Sequence, residues 1–352
     1  MKKLAVLCGI VLAASAAVDC AADEKALPRE YAPAEKEVHF GELTMLTDGG
    51  ENAEAYFSFD GSSLSLQSTH GDWGCDQIFT LPIGGGEMQL VSTGKGRTTC
   101  AHWMPDGKSV VYSSTHHKDE ACPPTPDHSQ GYVWALYPTF DIFVINTETD
   151  ELVQLTSEYG YDAEATVSPN GDRIVFTSDR SGDLEIYTMD LDGGNVVQLT
   201  DELGYDGGPF FSPDGTKIVY RAHYPTEENE VADYKSLLAE HMIRPTQLEI
   251  YVMDIDGSNK QQITDLGAAT FAPFFHPGGE KIIFSSNYPG RGREFNLWLI
   301  NIDGTGLEQV TFEAGFDGFP MWAPDGKTFV FASNRHNSER GDTNVFITEW
   351  KD

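Results

Sequence analysis

The sequence has little positive charge and, beyond its first residues, no long hydrophobic run. Its 352 residues include 23 Lys and Arg against 55 Asp and Glu, which gives a formal net charge of −32. Such a negative field repels nucleic acids and anionic lipid surfaces, so we expect neither as a partner. No later apolar stretch approaches the ~20 residues that a membrane-spanning helix needs. These absences leave an acidic protein that acts on proteins, peptides or small molecules.

The sequence also lacks the usual signatures of hydrolases and metal sites. It contains no G-x-S-x-G nucleophile elbow, and its histidines do not show zinc-ligand spacing. The turns "DLDGG" and "DIDGS" resemble calcium loops, but the later glutamate of an EF-hand is missing. We therefore find no serine-, cysteine- or zinc-hydrolase constellation.

The apolar run at the N-terminus predicts export. The sequence starts "MKK", continues with apolar residues 4–18 and then has small residues, as secretory signal peptides do. We expect a signal peptide at 1–22, an N-terminal extension at 23–40 and a folded domain at 41–352, in the periplasm or secreted. Lipid attachment at Cys20 stays open, although the neighbouring Asp19 disfavours it.

One short pattern occurs six times in the sequence. Its turns read "SPDG" or a close variant, and they end at Gly61, Gly107, Gly171, Gly215, Gly279 and Gly326. Proline presets φ and glycine accepts a positive φ in such turns. Each copy reads as four short strands, and four strands at a period of about 40–50 residues are typical of a β-propeller. Six copies predict six blades.

The two ends of the sequence predict how the ring closes. The sixth copy supplies only three strands, the last at 344–350, whereas "GELTMLTDGG" at 41–50 matches the fourth strand of other copies. We expect this N-terminal strand to complete blade six, which leaves no exposed sheet edge. The predicted fold is an all-β, six-bladed β-propeller.

These turns resemble the PD40 repeat of TolB-like propellers, and the resemblance runs from about residue 41 to the end. TolB of the Tol–Pal envelope system carries an α/β domain ahead of its propeller, and this sequence has no matching segment, so binding of TolA or Pal does not follow. The stretch "GKGRTTCAHWMPDG" resembles exported TolB-like propellers, some of which are fused to zinc aminopeptidases. The resemblance implies the fold more firmly than the function.

Strand reversal predicts which loops share a face. The Pro-Asp-Gly and Asp-x-Asp-Gly turns should lie on one face, here the turn face. The links between blades and the loops between second and third strands should lie on the opposite face, here the loop face. Insertions at 115–139 and 223–247 fall on the loop face, and the second predicts a helix over 227–242, capped by Thr226. We expect function on the loop face, since loops on a rigid scaffold often carry it.

Three cysteines lie beyond the predicted signal peptide, and all fall on the loop face. One disulfide and one free thiol is the simplest arrangement in an oxidising compartment. Cys100 and Cys122 belong to the same predicted blade, so we predict that they pair and that Cys75 is free.

The start of each inner strand predicts a ring of polar side chains. The equivalent positions are Asn52, Thr98, Asp162, Asp206, Thr270 and Asp317. We expect a ligand site at the channel mouth, formed by Asn52, Arg97, Asp162, Asp206 and Asp317. Asp162 and Asp206 would hold calcium or an amine, and Arg97 would face an anionic group. The alternative is local: these side chains hydrogen-bond nearby backbone and shape the links between blades.

Two functional hypotheses follow from the sequence. The first is an exported, non-catalytic and monomeric propeller that acts as an interaction scaffold for an envelope protein or peptide, without a cofactor. The second is a propeller that binds a small ligand or metal at the channel mouth. Such a propeller could be a hydrolase, a lyase or an accessory to a peptidase.

Overall fold

The computed structural model describes residues 27–71, 73–129, 131–290 and 292–352. The predicted signal peptide at 1–22 and Cys20 lie outside these residues. Within the described ranges, no helix has the length and apolar character to cross a membrane.

Six sheets surround a central channel, and their strands follow the chain order. Two N-terminal strands come first: β1 (Arg29–Tyr31) and β2 (Leu43–Met45). Blade one contains β3 (Asn52–Phe57), β4 (Ser63–Ser68), β5 (Gln77–Pro82) and β6 (Gln89–Leu90). Blade two contains β7 (Thr98–Trp103), β8 (Ser109–Ser114), then β9 (Trp134–Ala135) in its insertion, β10 (Asp141–Asn146) and β11 (Leu152–Gln154). Blade three contains β12 (Asp162–Val167), β13 (Ile174–Ser178), β14 (Glu185–Met189) and β15 (Val197–Gln198).

The second half repeats this arrangement. Blade four contains β16 (Tyr205–Phe211), β17 (Lys217–His223), the insertion with α1 (Glu228–Ala239) and β18 (Met242–Ile243), then β19 (Glu249–Asp254) and β20 (Gln261–Gln262). Blade five contains β21 (Thr270–Phe275), β22 (Lys281–Ser286), β23 (Asn296–Asn301) and β24 (Glu308–Gln309). Blade six contains β25 (Asp317–Trp322), β26 (Thr328–Ser333) and β27 (Asn344–Glu349). The predicted six-bladed propeller is confirmed.

A repeated hydroxyl explains the Leu-Thr ending of the fourth strands. In every blade, a Thr or Ser just after the fourth strand accepts a hydrogen bond from the second backbone amide of the third strand. The N–H to Oγ distances are 2.8–3.0 Å for Ile78–Ser92, Ile142–Thr156, Ile186–Thr200, Ile250–Thr264, Leu297–Thr311 and Val345–Thr47. A buried backbone N–H needs a partner, so this side chain continues the ladder where strand pairing ends.

The N-terminal strand closes the ring as predicted. Strand β2 pairs antiparallel with β27, with Met45 opposite Phe346. The extension adds a feature that the sequence did not indicate, because β1 pairs with β2 as a fifth strand of blade six. In the same segment, buried Glu37 binds the Arg335 guanidinium at 3.0 Å. The extension is therefore part of the last blade.

The two insertions meet on the loop face. Strand β9 of the blade-two insertion pairs with β18 of the blade-four insertion, with Trp134 opposite Ile243. Helix α1 docks through buried Tyr234, whose hydroxyl lies 2.5 Å from the Gly204 carbonyl oxygen. The helix is shorter than predicted. Its N-cap is Glu227, without a side-chain hydrogen bond, so the prediction of a Thr226 cap is wrong.

We predict that deletion of residues 43–47 destroys the fold. The deletion removes β2 and exposes the edge of β27, and it also removes the buried side chains of Leu43, Met45 and Leu46. Size-exclusion chromatography and thermal unfolding should show aggregation or loss of cooperative melting. Deletion of the outer strand Arg29–Tyr31 is the control and should have a smaller effect. A monomer with an unchanged melting temperature after deletion of 43–47 would contradict strand closure.

Candidate functional site in the central channel

The predicted polar ring exists, and most of its side chains bind groups of their own blade. Its six members begin the inner strands, or stand second in the case of Asp206, and all are buried. Each contacts a neighbour in its own or the adjacent blade: Asn52–Ser68 at 2.7 Å, Thr98–Asp76 at 2.9 Å, Asp162–Arg180 at 3.0 Å, Asp206–Tyr224 at 2.6 Å, Thr270–Ser286 at 3.0 Å and Asp317–Arg335 at 2.9 Å. This arrangement favours the local alternative, in which these side chains hydrogen-bond to nearby groups.

Asp162 and Asp206 have different binding partners. Asp162 is paired with Arg180. Asp206 lies beside Glu185, and burial raises the pKa of the Asp206 and Glu185 carboxyls, that of Glu185 to about 7. Across the described residues, no group of three or more His, Cys, Asp or Glu could hold a metal ion. Arg97 is paired with Asp76. The calcium site therefore stays a prediction without a supporting ligand cluster.

A second ring, two residues further along each inner strand, was missed by sequence reasoning. Here every inner strand has a left-handed residue, with φ between 50° and 59°. The six residues are Glu54, Cys100, Glu164, Gly208, Ala272 and Phe319. In all six strands the pairing register shifts at this point, so the residue belongs to a β-bulge. Bulges re-aim side chains, and here they present one residue per blade to the channel.

One side of this ring holds a buried ion pair. The Arg221 guanidinium contacts the Glu164 carboxylate, which also accepts hydrogen bonds from Thr177 Oγ1 and Gly208 N, both at 2.8 Å. Two facts require glycine at position 208: its φ is positive, and an added Cβ would overlap the Arg221 Nη1 atom. Tyr205 completes the set by accepting a hydrogen bond from Arg221 Nε at 3.0 Å. The Glu164 carboxylate thus has an ion-pair partner and two hydrogen-bond donors.

Glu54 is in a different position. Its Oε2 atom is buried, and none of the described residues gives it a hydrogen-bond partner. Its neighbour in the ring is the Cys100 thiol, and burial, with Glu164 nearby, raises the pKa of the Glu54 carboxyl to about 7. Glu54 therefore lacks the ion pair that neutralises Glu164.

The opposite side of the channel is aromatic. Phe271, Phe295, Phe316 and Phe319 form one cluster, with ring centroids 5.3–6.3 Å apart. Trp134, from the blade-two insertion, lies 6.3 Å from Phe271 and 5.2 Å from the Arg221 guanidinium. We call the space between these walls the loop-face cup. It is defined by Glu54, Cys100, Glu164, Arg221, Phe271 and Phe319.

Aromatic side chains cross the channel below the cup. Tyr56 of blade one and Phe210 of blade four, which stand opposite each other, meet edge to face at 5.3 Å. Phe274 lies 5.4 Å from Phe210, and His102 lies 6.3 Å from Tyr56. Burial lowers the pKa of His102 to about 4, so this imidazole is neutral at pH 7. These rings separate the loop-face cup from a second cavity.

That second cavity, the turn-face funnel, is apolar and has a volume of about 360 Å³. All six blades contribute to its wall. Its lining residues are Phe57, Ser58, Phe59, His102, Val167, Pro169, Phe210, Phe211, Ser212, Pro213, Phe274, Phe275, Pro277, Met321, Trp322, Ala323 and Pro324. Four of the turn prolines that defined the repeat therefore line this cavity, although the sequence had indicated the opposite face for function.

The predicted disulfide between Cys100 and Cys122 is wrong, because of these two cysteines only Cys122 takes part in a disulfide. Cys122 pairs with Cys75, with Cα atoms 5.8 Å apart, and Cys100 is free. The reason is the bulge, since a φ of 50° at Cys100 belongs to the residue that faces the channel, next to Glu54. The bond joins the blade-one loop to the blade-two insertion that carries Trp134. It therefore secures the chain segment that forms one side of the cup.

Comparison with known proteins supports the repeat assignment. The family described as the TolB beta propeller domain matches residues 125–242 and 236–351. The chain belongs to the TolB β-propeller family. A curated relative, an uncharacterized protein of Agrobacterium fabrum, is 26% identical over 244 residues, which are 68% of this chain and 71% of the relative.

Solved structures share the fold of this TolB-family chain. TolB from Acinetobacter baumannii is 18% identical with a TM-score of 0.55, and the match covers 85% of this chain and 63% of TolB. A gluconolactonase from Xanthomonas campestris is 12% identical with a TM-score of 0.58, covering 92% and 95% of the two chains. An oligogalacturonate lyase from Vibrio parahaemolyticus is also 12% identical, with a TM-score of 0.55 and coverage of 91% and 96%. At such identities the likeness extends to the fold alone.

Loss of the disulfide should weaken the protein measurably. The bond closes a loop of 47 residues, worth about 4 kcal/mol of unfolding free energy in the chain-entropy estimate. We predict that Cys75→Ser lowers stability in urea titrations by up to this amount, whereas Cys100→Ser changes it little. A non-reduced peptide map should link Cys75 to Cys122. A map that links Cys100 to either one would contradict the structure.

The channel ion pair should show strong coupling between its partners. Arg221→Met leaves the buried Glu164 without its cation, and we expect a loss of about 3–5 kcal/mol. The double variant Glu164→Gln/Arg221→Met should lose less, because no charge is then stranded. Arg97→Met is the matched control, since its pair with Asp76 lies nearer the solvent. Equal losses in the single and double variants would show that the two groups are not paired.

Proposed function

We propose that this chain is an exported, non-catalytic binding protein that docks a segment of an envelope protein in the turn-face funnel. The observation that carries the proposal is the funnel itself, an apolar cavity of about 360 Å³ to which every blade contributes. Concave apolar sites of this size suit a few inserted side chains of a partner. Kinship with TolB, a component of the Tol–Pal envelope system, supports an envelope partner.

The charge around the funnel favours a segment with cationic flanks. The turn carboxylates stay ionised, because hydrogen bonds from Ser58 and from Ser62 lower the pKa of Asp60 to about 2, and Ser212 similarly lowers that of Asp214. The whole chain is strongly acidic. Complementary charge speeds association and selects partners. An apolar segment between Lys or Arg residues would therefore fit both the cavity and its rim.

Export is supported by two independent features. The sequence begins with the charge and apolar pattern of a signal peptide, and the structure joins Cys75 to Cys122. Structural disulfides persist in oxidising compartments such as the bacterial periplasm. The protein would act there as a monomer.

Site-specific photo-crosslinking in cells tests this function. A benzophenone amino acid at Phe59, in the funnel wall, should give a defined adduct with one envelope protein. The control places the same group at Tyr159, an exposed aromatic residue on the loop face, where we expect no such adduct. Raised salt should weaken the Phe59 adduct. Equal labelling from both positions, or none from Phe59, would contradict a partner site in the funnel.

A further inference from the structure

The loop-face cup has an excess of negative charge that the fold leaves in place. Four carboxylates and two arginines lie at or near it. Arg97 pairs with Asp76 and Arg221 pairs with Glu164. The ion pairs found among the described residues include neither Glu51 nor Glu54, and Glu51 stands at the exposed rim. After pairing, the cup therefore keeps one carboxyl at its rim and one in its interior.

One oxygen of the interior carboxyl has no hydrogen-bond partner, although the Cys100 thiol and the Arg221 guanidinium offset part of the cost of burying the group. Glu54 Oε2 is buried, and no group in the described chain donates a hydrogen bond to it. A buried polar atom without a partner costs stability, and the cost is recovered when a donor reaches it. The bulge holds the Glu54 backbone in a left-handed conformation, with φ of 53°, which an ordinary strand residue avoids. The fold thus maintains an unpaired acceptor facing the channel at some cost.

The aromatic wall next to Glu54 is suited to a cation and poor in metal ligands. Phe319 belongs to the same bulge ring as Glu54 on the adjacent blade, and Phe271 and Phe316 extend its aromatic surface. Ring faces attract organic cations, and the structure already shows this with Arg221 over Trp134 at 5.2 Å. Calcium needs six or more oxygen ligands, which phenylalanine rings cannot supply. A carboxylate beside aromatic rings instead suits an ammonium group with carbon substituents.

We propose that the loop-face cup binds an organic ammonium ion, with Glu54 as its anionic contact and the rings of Phe271 and Phe319 as its cation–π surface. The site is separate from the turn-face funnel, since Tyr56 and Phe210 close the channel between them. The ligand enters from the loop face, beside Trp134. Anions are excluded by Glu51 and Glu54, and neutral apolar molecules lack the charge that Glu54 requires.

Calorimetric titration with tetramethylammonium at pH 8 tests the proposal, with tert-butanol as a neutral analogue of similar shape. Wild-type protein should bind the cation and not the alcohol. Glu54→Gln keeps the side-chain shape and should weaken binding by about tenfold or more, the usual range for a hydrogen-bonded or charge-paired contact. Phe319→Leu should weaken it by a smaller factor, because only the ring face is lost.

Glu51→Gln is the matched control, because it removes the same charge three residues away at the exposed rim. We expect its affinity to stay within about threefold of wild type, as for a solvent-exposed charge. Thermal unfolding of Glu54→Gln at pH 8 should show no loss of stability, which confirms that the variant is folded. No binding by wild type, equal affinity of Glu54→Gln and wild type, or equal binding of tert-butanol would each overturn the proposal. None of these results would bear on the funnel.

Discussion

A propeller blade is a sheet with two apolar faces, and each face can be buried only against the neighbouring blade. Every other feature of this protein depends on that constraint. The clusters of buried side chains run between blades, and the largest joins residues of blades one, four, five and six through the channel centre. If two neighbouring blades separated, an apolar face of each would be exposed to water. This explains why the chain uses an N-terminal strand to complete blade six and adds β1 and Glu37 to secure it.

The same constraint leaves the inner strands with a free edge around the channel. All six strands carry a bulge with a left-handed residue where they pair with the second strand of the blade. The side chains at these positions point into the channel, and each contacts a different set of neighbours. They differ in kind: Glu54, Cys100 and Glu164 on one side, Ala272 and Phe319 on the other. The regular scaffold thus carries an asymmetric lining, and this lining distinguishes one member of the fold from another.

The repeat pattern predicted the blades, the closure and the identity of the two faces, because turn chemistry and strand alternation are local properties. For the channel it selected the ring of residues that lies two positions before the bulge residues. The alternation of side chains along a strand assigns Asp162 and Asp206 to the channel. The bulge that follows them changes which face the next side chains point to. No residue type marks the bulge in the sequence, because Glu, Cys and Phe all occupy it. The error at Cys100 has the same cause. The pairing of β9 with β18 depends on two insertions far apart in sequence, which no local pattern reveals.

The central claim is that the fold encloses the Glu54 carboxyl without an ion-pair partner. The most direct measurement is an NMR titration of carboxyl carbon shifts in protein labelled at glutamate, with Glu54→Gln to assign the Glu54 signal. The structure predicts a midpoint near 7 for Glu54, because burial disfavours its charged form. A Glu54 midpoint close to 4.3, the value of an exposed glutamate, would contradict an enclosed and unpaired carboxyl and with it the asymmetric channel described above.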